Sequence, residues 1–269
     1  MRIFDFTPDG QRECCVTAWI HTEVESAEMA SRQLPAVVIC PGGGYGFVSD
    51  READPVAQVY FSQGYNTFIL KYSIGERAKD FTPLCQLAAT VAQVRGHADE
   101  WHVDPNRIAV WGGSAGGHLA GSLGTLYNTA EFQKIYARHE DVRPNAMILI
   151  YPVITADEYA HVDSIRRVSG EDVGHPRYEW FGLNKHVDKH TPPTFLYHTA
   201  DDNCVPVQNS LQFADALSRA GVTYEMHILP RGGHGMSVSN QAVGCLDDYT
   251  ARWTWWSIEW LNKTFEFRG

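Results

Sequence analysis

Short, continuous apolar runs alternate along the chain with longer segments in which apolar residues recur every three or four positions. The runs at 36–40, 67–72, 108–111, 146–151, 194–198 and 223–229 predict strands. Several are apolar throughout, as expected for strands covered on both faces. Residues 15–21 are read as an antiparallel strand at the sheet edge. Helical spacing is clearest over 83–101, where Leu84, Leu87, Ala88, Val91, Val94, Ala98 and Trp101 form one stripe. Thr82 stands there as a natural N-cap and Pro83 suits the first turn. Further helices are predicted over 55–64, 115–127, 207–220 and 245–264. The last carries Trp253, Trp255, Trp256 and Trp260, more aromatic surface than one buried stripe requires. Core packing accounts for most of it, and an exposed remainder would point to a homo-oligomer contact. Strands alternating with helices predict an α/β fold with a mainly parallel sheet.

One stretch breaks the alternation. Residues 155–190 are charged and His-rich, with Trp180 and Phe181 near the middle, where a short connection would suffice. Long connections of this kind often serve as lids. No repeat or linker-like shift interrupts the chain. The whole of 1–269 is therefore read as one domain with a lid-like insertion at about 155–190.

Composition narrows the partners. The chain has 22 basic and 32 acidic residues, a formal charge of −10. A field of that sign repels phosphate backbones and anionic lipid, so nucleic acid and membrane are not expected partners. The N-terminal stretch lacks the apolar core of a signal peptide, and no apolar run approaches the ~18 residues of a membrane span. Six cysteines show neither CxxC nor metal-ligand spacing, which favours free thiols in a reducing cytoplasm.

The chemistry concentrates in a few segments. Gly112-Gly113-Ser114-Ala115-Gly116 has the form G-x-S-x-G, set between a predicted strand and a predicted helix. That context suits a nucleophile elbow, a strained turn that lifts the serine above the sheet. A serine hydroxyl needs a base. Among 12 histidines, His234 stands in Arg231-Gly232-Gly233-His234-Gly235, directly after the last predicted strand. A glycine-rich loop there can carry the imidazole over the sheet edge. His227 lies within a strand and His118 within the helix after the elbow, so both read as structural. The acid follows the strand at 194–198, where Asp201 and Asp202 compete. A turn before Val205-Pro206 points Asp202 back toward His234 and leaves Asp201 to shape the loop.

Acyl transfer builds charge on the carbonyl oxygen, which preorganised N–H groups stabilise. The Ala115 amide is one expected donor. The other comes from Pro41-Gly42-Gly43-Gly44-Tyr45-Gly46, with Gly43 preferred and Gly42 or Gly44 as alternatives. A dinucleotide loop is the competing reading, but Phe47 stands where G-x-G-x-x-G needs glycine. Tyr45, Phe47, Val205 and Met236 flank these elements. With Trp180 and Phe181 they are the candidate pocket residues. His186, Asp188 and His190 form H-x-D-x-H, read as polar lid residues and not a metal site. No cofactor or metal is expected.

Together these segments resemble the α/β-hydrolase superfamily. More narrowly the chain is similar to bacterial esterases of the acetylxylan-esterase or sugar-ester hydrolase type, related to the hormone-sensitive-lipase-like enzymes. The likeness is carried by Val38-Ile39-Cys40-Pro41-Gly42-Gly43-Gly44-Tyr45, by Val103-Asp104-Pro105-Asn106-Arg107-Ile108, and by Trp111-Gly112-Gly113-Ser114-Ala115-Gly116-Gly117-His118. It continues through Thr191-Pro192-Pro193, His198-Thr199-Ala200-Asp201-Asp202, Val205-Pro206 and Gly233-His234-Gly235. The resemblance implies a mostly parallel twisted central sheet with helices on both faces. It also implies Ser114 as nucleophile, Asp202 as acid, His234 as base, and a small ester substrate with a short, acetyl-type acyl group. Two departures stand out. Pro41 replaces the histidine of His-Gly-Gly-Gly, and Gly113 replaces the bulky residue that often precedes the serine. An amidase or peptidase with the same triad is the alternative chemistry, and a noncatalytic binding protein on the same fold is the alternative class.

Overall fold

The alternation of apolar faces along each strand decides the layering. In the strand Leu34–Cys40 (β3), Val38 points into one core cluster while Val37 and Ile39 point into the other. In Val103–Gly113 (β5), Val110 and the pair Ala109 and Trp111 divide in the same way. Such strands must be covered on both sides. The computed structural model describes residues 1–22, 33–138 and 141–268.

The remaining strands are β1 (Arg2–Phe6), β2 (Cys15–Ile20), β4 (Asn66–Lys71), β6 (Ala146–Ile150), β7 (Thr194–Thr199) and β8 (Tyr224–Leu229). They form one sheet in the order β1-β2-β4-β3-β5-β6-β7-β8. The pairs β1·β2 and β2·β4 are antiparallel. All other pairs are parallel. Helices α2 (Thr82–Gly96), α3 (Ala115–Leu126) and α7 (Gln208–Arg219) cover one face through residues such as Leu87, Leu123 and Phe213. Helices α1 (Asp54–Phe61) and α8 (Arg252–Thr264) cover the other through Tyr60, Trp253 and Leu261. A short α4 (Ala130–Ile135) follows α3. This is the layering of the α/β-hydrolases, with the site at the C-terminal ends of the central strands.

Several expectations are corrected. β1 was not expected, because its faces are only half covered; Phe4 and Phe6 meet Trp101 at 5.6 and 5.1 Å. Helix α2 stops at Gly96, not at 101. Thr82 is inside the helix, its hydroxyl bonded back to the Lys79 carbonyl at 2.8 Å, and Phe81 holds the cap position with φ of 63°. Helix α8 begins at Arg252, not near 245. Of its tryptophans, Trp253 and Trp260 are buried while Trp255 stays 61% exposed.

The insertion contains two helices, α5 (Val162–Ser169) and α6 (Pro176–Trp180). Their caps are imidazoles. His161 accepts from the Ser164 amide and His175 from the Arg177 amide. Histidine is an unusual cap, which hid both helix starts. Ile165, Val168, Tyr178 and Phe181 then join the core on the α3 side.

Candidate active site

β5 runs directly into Ser114, and α3 starts at the next residue. Ser114 has φ 54° and ψ −121°, a strained backbone of the kind that the elbow demands. Three bonds hold it there. Its amide donates to the Ile150 carbonyl at 3.0 Å, and its carbonyl accepts from Val153 and His118 at 3.0 and 3.1 Å. The turn tolerates no side chain at Gly116, where a Cβ would lie 1.9 Å from the Cys40 carbonyl oxygen.

The β7 end and the β8 end bring the other two groups. Ser114 Oγ lies 2.9 Å from His234 Nε2, and His234 Nδ1 lies 2.6 Å from Asp202 Oδ2. A carboxylate only accepts, so Nδ1 carries the proton and Nε2 is left to accept from the serine hydroxyl. Asp202 is buried. Burial acts to raise its pKa, but donors from His198, His234 and the Val205 amide outweigh that and hold the carboxyl well below the usual range. It therefore stays charged through neutral and mildly acid pH. Asp201 turns away and accepts from the Gly233 amide at 2.9 Å, which shapes the loop that carries His234.

Asp202 has more partners than the sequence revealed. Oδ1 accepts from the amides of Cys204 and Val205 at 2.9 and 2.8 Å. Oδ2 is shared with the fully buried His198, whose Nε2 lies 3.2 Å away and also 2.9 Å from the Val205 carbonyl. Nε2 faces two acceptors, so it carries a proton. His198 Nδ1 takes the Ser210 hydroxyl at 2.8 Å. Every lone pair of the carboxylate is thus engaged, and its orientation is fixed.

The glycine turn after β3 faces the serine. Gly43 has φ 126°, and a Cβ there would lie 2.1 Å from the Phe47 carbonyl oxygen. The Gly42 amide does not face the site, because it donates to Glu52 Oε2 at 2.6 Å. That removes Gly42 as a donor to substrate and leaves Gly43 or Gly44. Ala115 is the first residue of α3, so its amide lacks an intrahelical partner. Glu52 is buried, and its other oxygen accepts from the Tyr151 hydroxyl at 2.6 Å. Burial first, and then the adjacent Glu52, push the Tyr151 phenol well up, which keeps it a donor. Tyr151 in turn accepts from the Ser237 amide at 3.0 Å. Gly113 is explained by the same acid, since a Cβ there would meet Glu52 Oε1 at 2.8 Å.

Comparison with known proteins identifies the family and the fold. The BD-FAE family model matches residues 23–217. The chain belongs to the BD-FAE family. It is 31% identical over 226 residues to Endo-1,4-beta-xylanase B of Butyrivibrio fibrisolvens, covering 81% of this chain and 34% of that protein. It is 32% identical over 209 residues to an Acetylxylan esterase of Xylanibacter ruminicola, covering 74% of this chain and 40% of that protein. The chain thus spans well under half the length of either relative. The crystal structure of an acetyl ester-xyloside bifunctional hydrolase from Caldicellulosiruptor lactoaceticus is similar throughout. The TM-score is 0.81 at 35% identity, covering 98% of this chain and 92% of that one. The family and these likenesses give the chain the α/β-hydrolase fold. The BD-FAE match contains Ser114 and Asp202, and His234 lies beyond its end.

In this BD-FAE member Ser114 and His234 open onto a cavity of about 560 Å³. Of the candidate pocket residues only Phe47 lines it, at the rim and 61% exposed. Tyr45 points inward, fully buried, with its hydroxyl 2.9 Å from His118 Nδ1. Phe181 and Trp180 pack on Phe81 at 5.4 and 5.1 Å and anchor the insertion, away from the cavity. Val205 is buried and serves Asp202 through its backbone. Met236 lies against the Cys245 sulfur at 3.4 Å. The cavity is lined instead by His161, Arg167, Arg51 and Cys204, none of which the sequence singled out. His186 and His190 do not converge on a metal. His186 Nε2 bonds the Trp180 carbonyl at 2.6 Å, and Asp188 Oδ1 accepts the His190 amide at 2.8 Å. Among the described residues no helix is long and apolar enough to cross a membrane.

Proposed function

We propose that this chain is a serine carboxylesterase that hydrolyses short-chain, acetyl-type esters of sugars or other small alcohols. The observation that carries the reading is the line Ser114–His234–Asp202, with steps of 2.9 and 2.6 Å, opening onto a cavity beside the Gly43–Gly44 turn. Ser114 Oγ attacks the acyl carbon while its proton passes to His234 Nε2. Asp202 stabilises the imidazolium through Nδ1–H. The tetrahedral oxyanion accepts from the amides of Ala115 and Gly43, each donor worth roughly 10²–10³ in rate in such sites. His234 then protonates the leaving alcohol, and water repeats the sequence on the acyl-enzyme.

The sugar-ester preference rests on the names of the relatives, an acetylxylan esterase and an acetyl ester-xyloside hydrolase. The single-domain reading rests on the continuous sheet, and the lid reading on His161 and Arg167 reaching the cavity from the insertion. All six cysteines are free, which supports a reducing, cytoplasmic setting. The exposed Trp255 supports a contact between copies of the chain, which sedimentation of the Trp255→Ser variant would test. The decisive assay is turnover of 4-nitrophenyl acetate. Ser114→Ala is expected to lower kcat by about 10³-fold or more, and a fluorophosphonate probe to label Ser114. Retention of most activity in the alanine variant refutes the proposal.

A further inference from the structure

The acid–base balance around the cavity points to a substrate feature that the triad does not explain. The cavity lining holds two guanidinium groups, Arg51 and Arg167. The only carboxyl group that lines it, among the described residues, is Glu52, and both of its oxygens are already engaged by Gly42 and Tyr151. In a chain of net charge −10 this local excess of cation is out of keeping with the rest of the surface.

Arg167 is held in place. It sits on α5, whose Ile165 and Val168 are buried on either side of it in sequence. Its Nη1 donates to the Gly44 carbonyl at 3.1 Å. The guanidinium lies along Gly46, where a Cβ would stand 3.4 Å from Cζ. That one bond leaves most of its five N–H donors uncommitted to protein. Its neighbours are compensated and it is not. Arg166 pairs with Asp172 at 2.8 Å, Lys79 with Glu76 at 2.6 Å, and Arg177 with Asp80 at 2.5 Å. Arg167 has no carboxylate partner among the described residues.

His161 stands beside it. Nδ1 accepts from the Ser164 amide, which leaves Nε2–H as a second donor at the same wall. Burial is the main cause that lowers the pKa of this imidazole. Arg167 also borders a separate cleft of about 280 Å³, whose carboxylates are Glu76, Glu171 and Asp172.

We propose that Arg167 is a specificity residue that binds a carboxylate carried by the ester cleaved at Ser114. The proposal rests on the esterase reading and adds the charge of the substrate to it. A planar guanidinium with free N–H pairs matches a carboxylate in bidentate fashion, which an ammonium does not.

Two matched pairs of esters test it. In one, the carboxylate is on the alcohol side: 4-acetoxybenzoate against methyl 4-acetoxybenzoate. In the other it is on the acyl side: 4-nitrophenyl hydrogen adipate against its methyl ester. The expected result is that kcat/KM for the charged member of at least one pair, relative to its neutral partner, falls about tenfold in Arg167→Gln. The change should lie mainly in KM, and Arg167→Lys should recover part of it. The same wild-type ratio should fall when salt is raised to about 0.5 M. If both ratios are the same in wild type and Arg167→Gln, and insensitive to salt, the proposal is overturned while turnover of the neutral esters leaves the esterase reading standing. If Arg167→Gln does not fold, the salt dependence of the wild-type ratio and Arg167→Lys decide the matter. If the wild type turns over none of the four esters, the esterase reading falls and this proposal with it.

Discussion

His118 makes the stability of the protein depend on mild acid. Its Nε2–H donates to the Phe181 carbonyl at 3.0 Å, and its Nδ1 accepts from the Tyr45 hydroxyl at 2.9 Å. The ring is fully buried, and that burial pushes its pKa down from 6.5 to about 4. Between those values the unfolded chain binds a proton that the folded chain excludes. Stability is therefore complete above pH 6.5 and is lost as the pH falls toward 4. From the two values the loss between pH 7.5 and pH 5 is about 2 kcal/mol, and about 3 kcal/mol once both states are protonated. A domain with ~5–15 kcal/mol in hand shows such a change clearly. The perturbation is His118→Gln, which cannot titrate. The assay is urea unfolding of both proteins at pH 7.5 and pH 5. The wild type should lose about 2 kcal/mol more than the variant across that interval. An equal loss in both would refute the assignment. The effect bears on function, because the His118–Phe181 bond is one of the ties that hold the insertion to α3.

Three further outcomes are expected. Asp202→Asn should lower kcat on 4-nitrophenyl acetate by ~10²–10⁴-fold, since an amide offers His234 Nδ1 a donor as readily as an acceptor and releases the tautomer; circular dichroism would check that the fold is kept. His198→Asn should lower kcat about tenfold with KM within about twofold, because Asp202 Oδ2 loses the donor at 3.2 Å that fixes its angle; an unchanged kcat would show that the two backbone amides suffice. Gly113→Ala should destabilise by ~1–3 kcal/mol through contact with Glu52, and by less when combined with Glu52→Ala, as a double-mutant cycle in urea would measure.

The strands and the elbow were legible because their signals are local. A continuous apolar run, a Gly-x-Ser-x-Gly and a helix-compatible continuation lie next to one another in the chain. Asp202 could be separated from Asp201 because the turn before Val205-Pro206 is also local. What escaped was assembled by tertiary contact. Glu52 sits in the charged run Ser49-Asp50-Arg51-Glu52 and reads as surface, yet packing buries it. His198 reads as the last residue of a strand, and only the β7 turn shows that it shares a carboxylate with His234. The pocket aromatics failed for a related reason. Tyr45 occupies a left-handed position, φ 56°, which turns its ring inward to His118. A large aromatic beside a catalytic loop is as ready to be core as to be pocket, and sequence spacing does not separate the two.

Glu52 also constrains how such a protein can be altered. One carboxyl group joins the Gly42 amide, in the turn beside the serine, to the Tyr151 hydroxyl at the end of β6. Tyr151 then holds the Ser237 amide, three residues past His234, and the Ser237 carbonyl accepts from Trp253 Nε1 on α8 at 2.8 Å. Loops far apart in the chain are thus cut to a single pattern. A chimaera that takes the glycine turn from a relative without the matching acid, tyrosine and histidine loop would inherit an unsatisfied buried carboxyl or amide. These segments can be exchanged only as a set, and recombination libraries should place their crossovers so that all of them travel together.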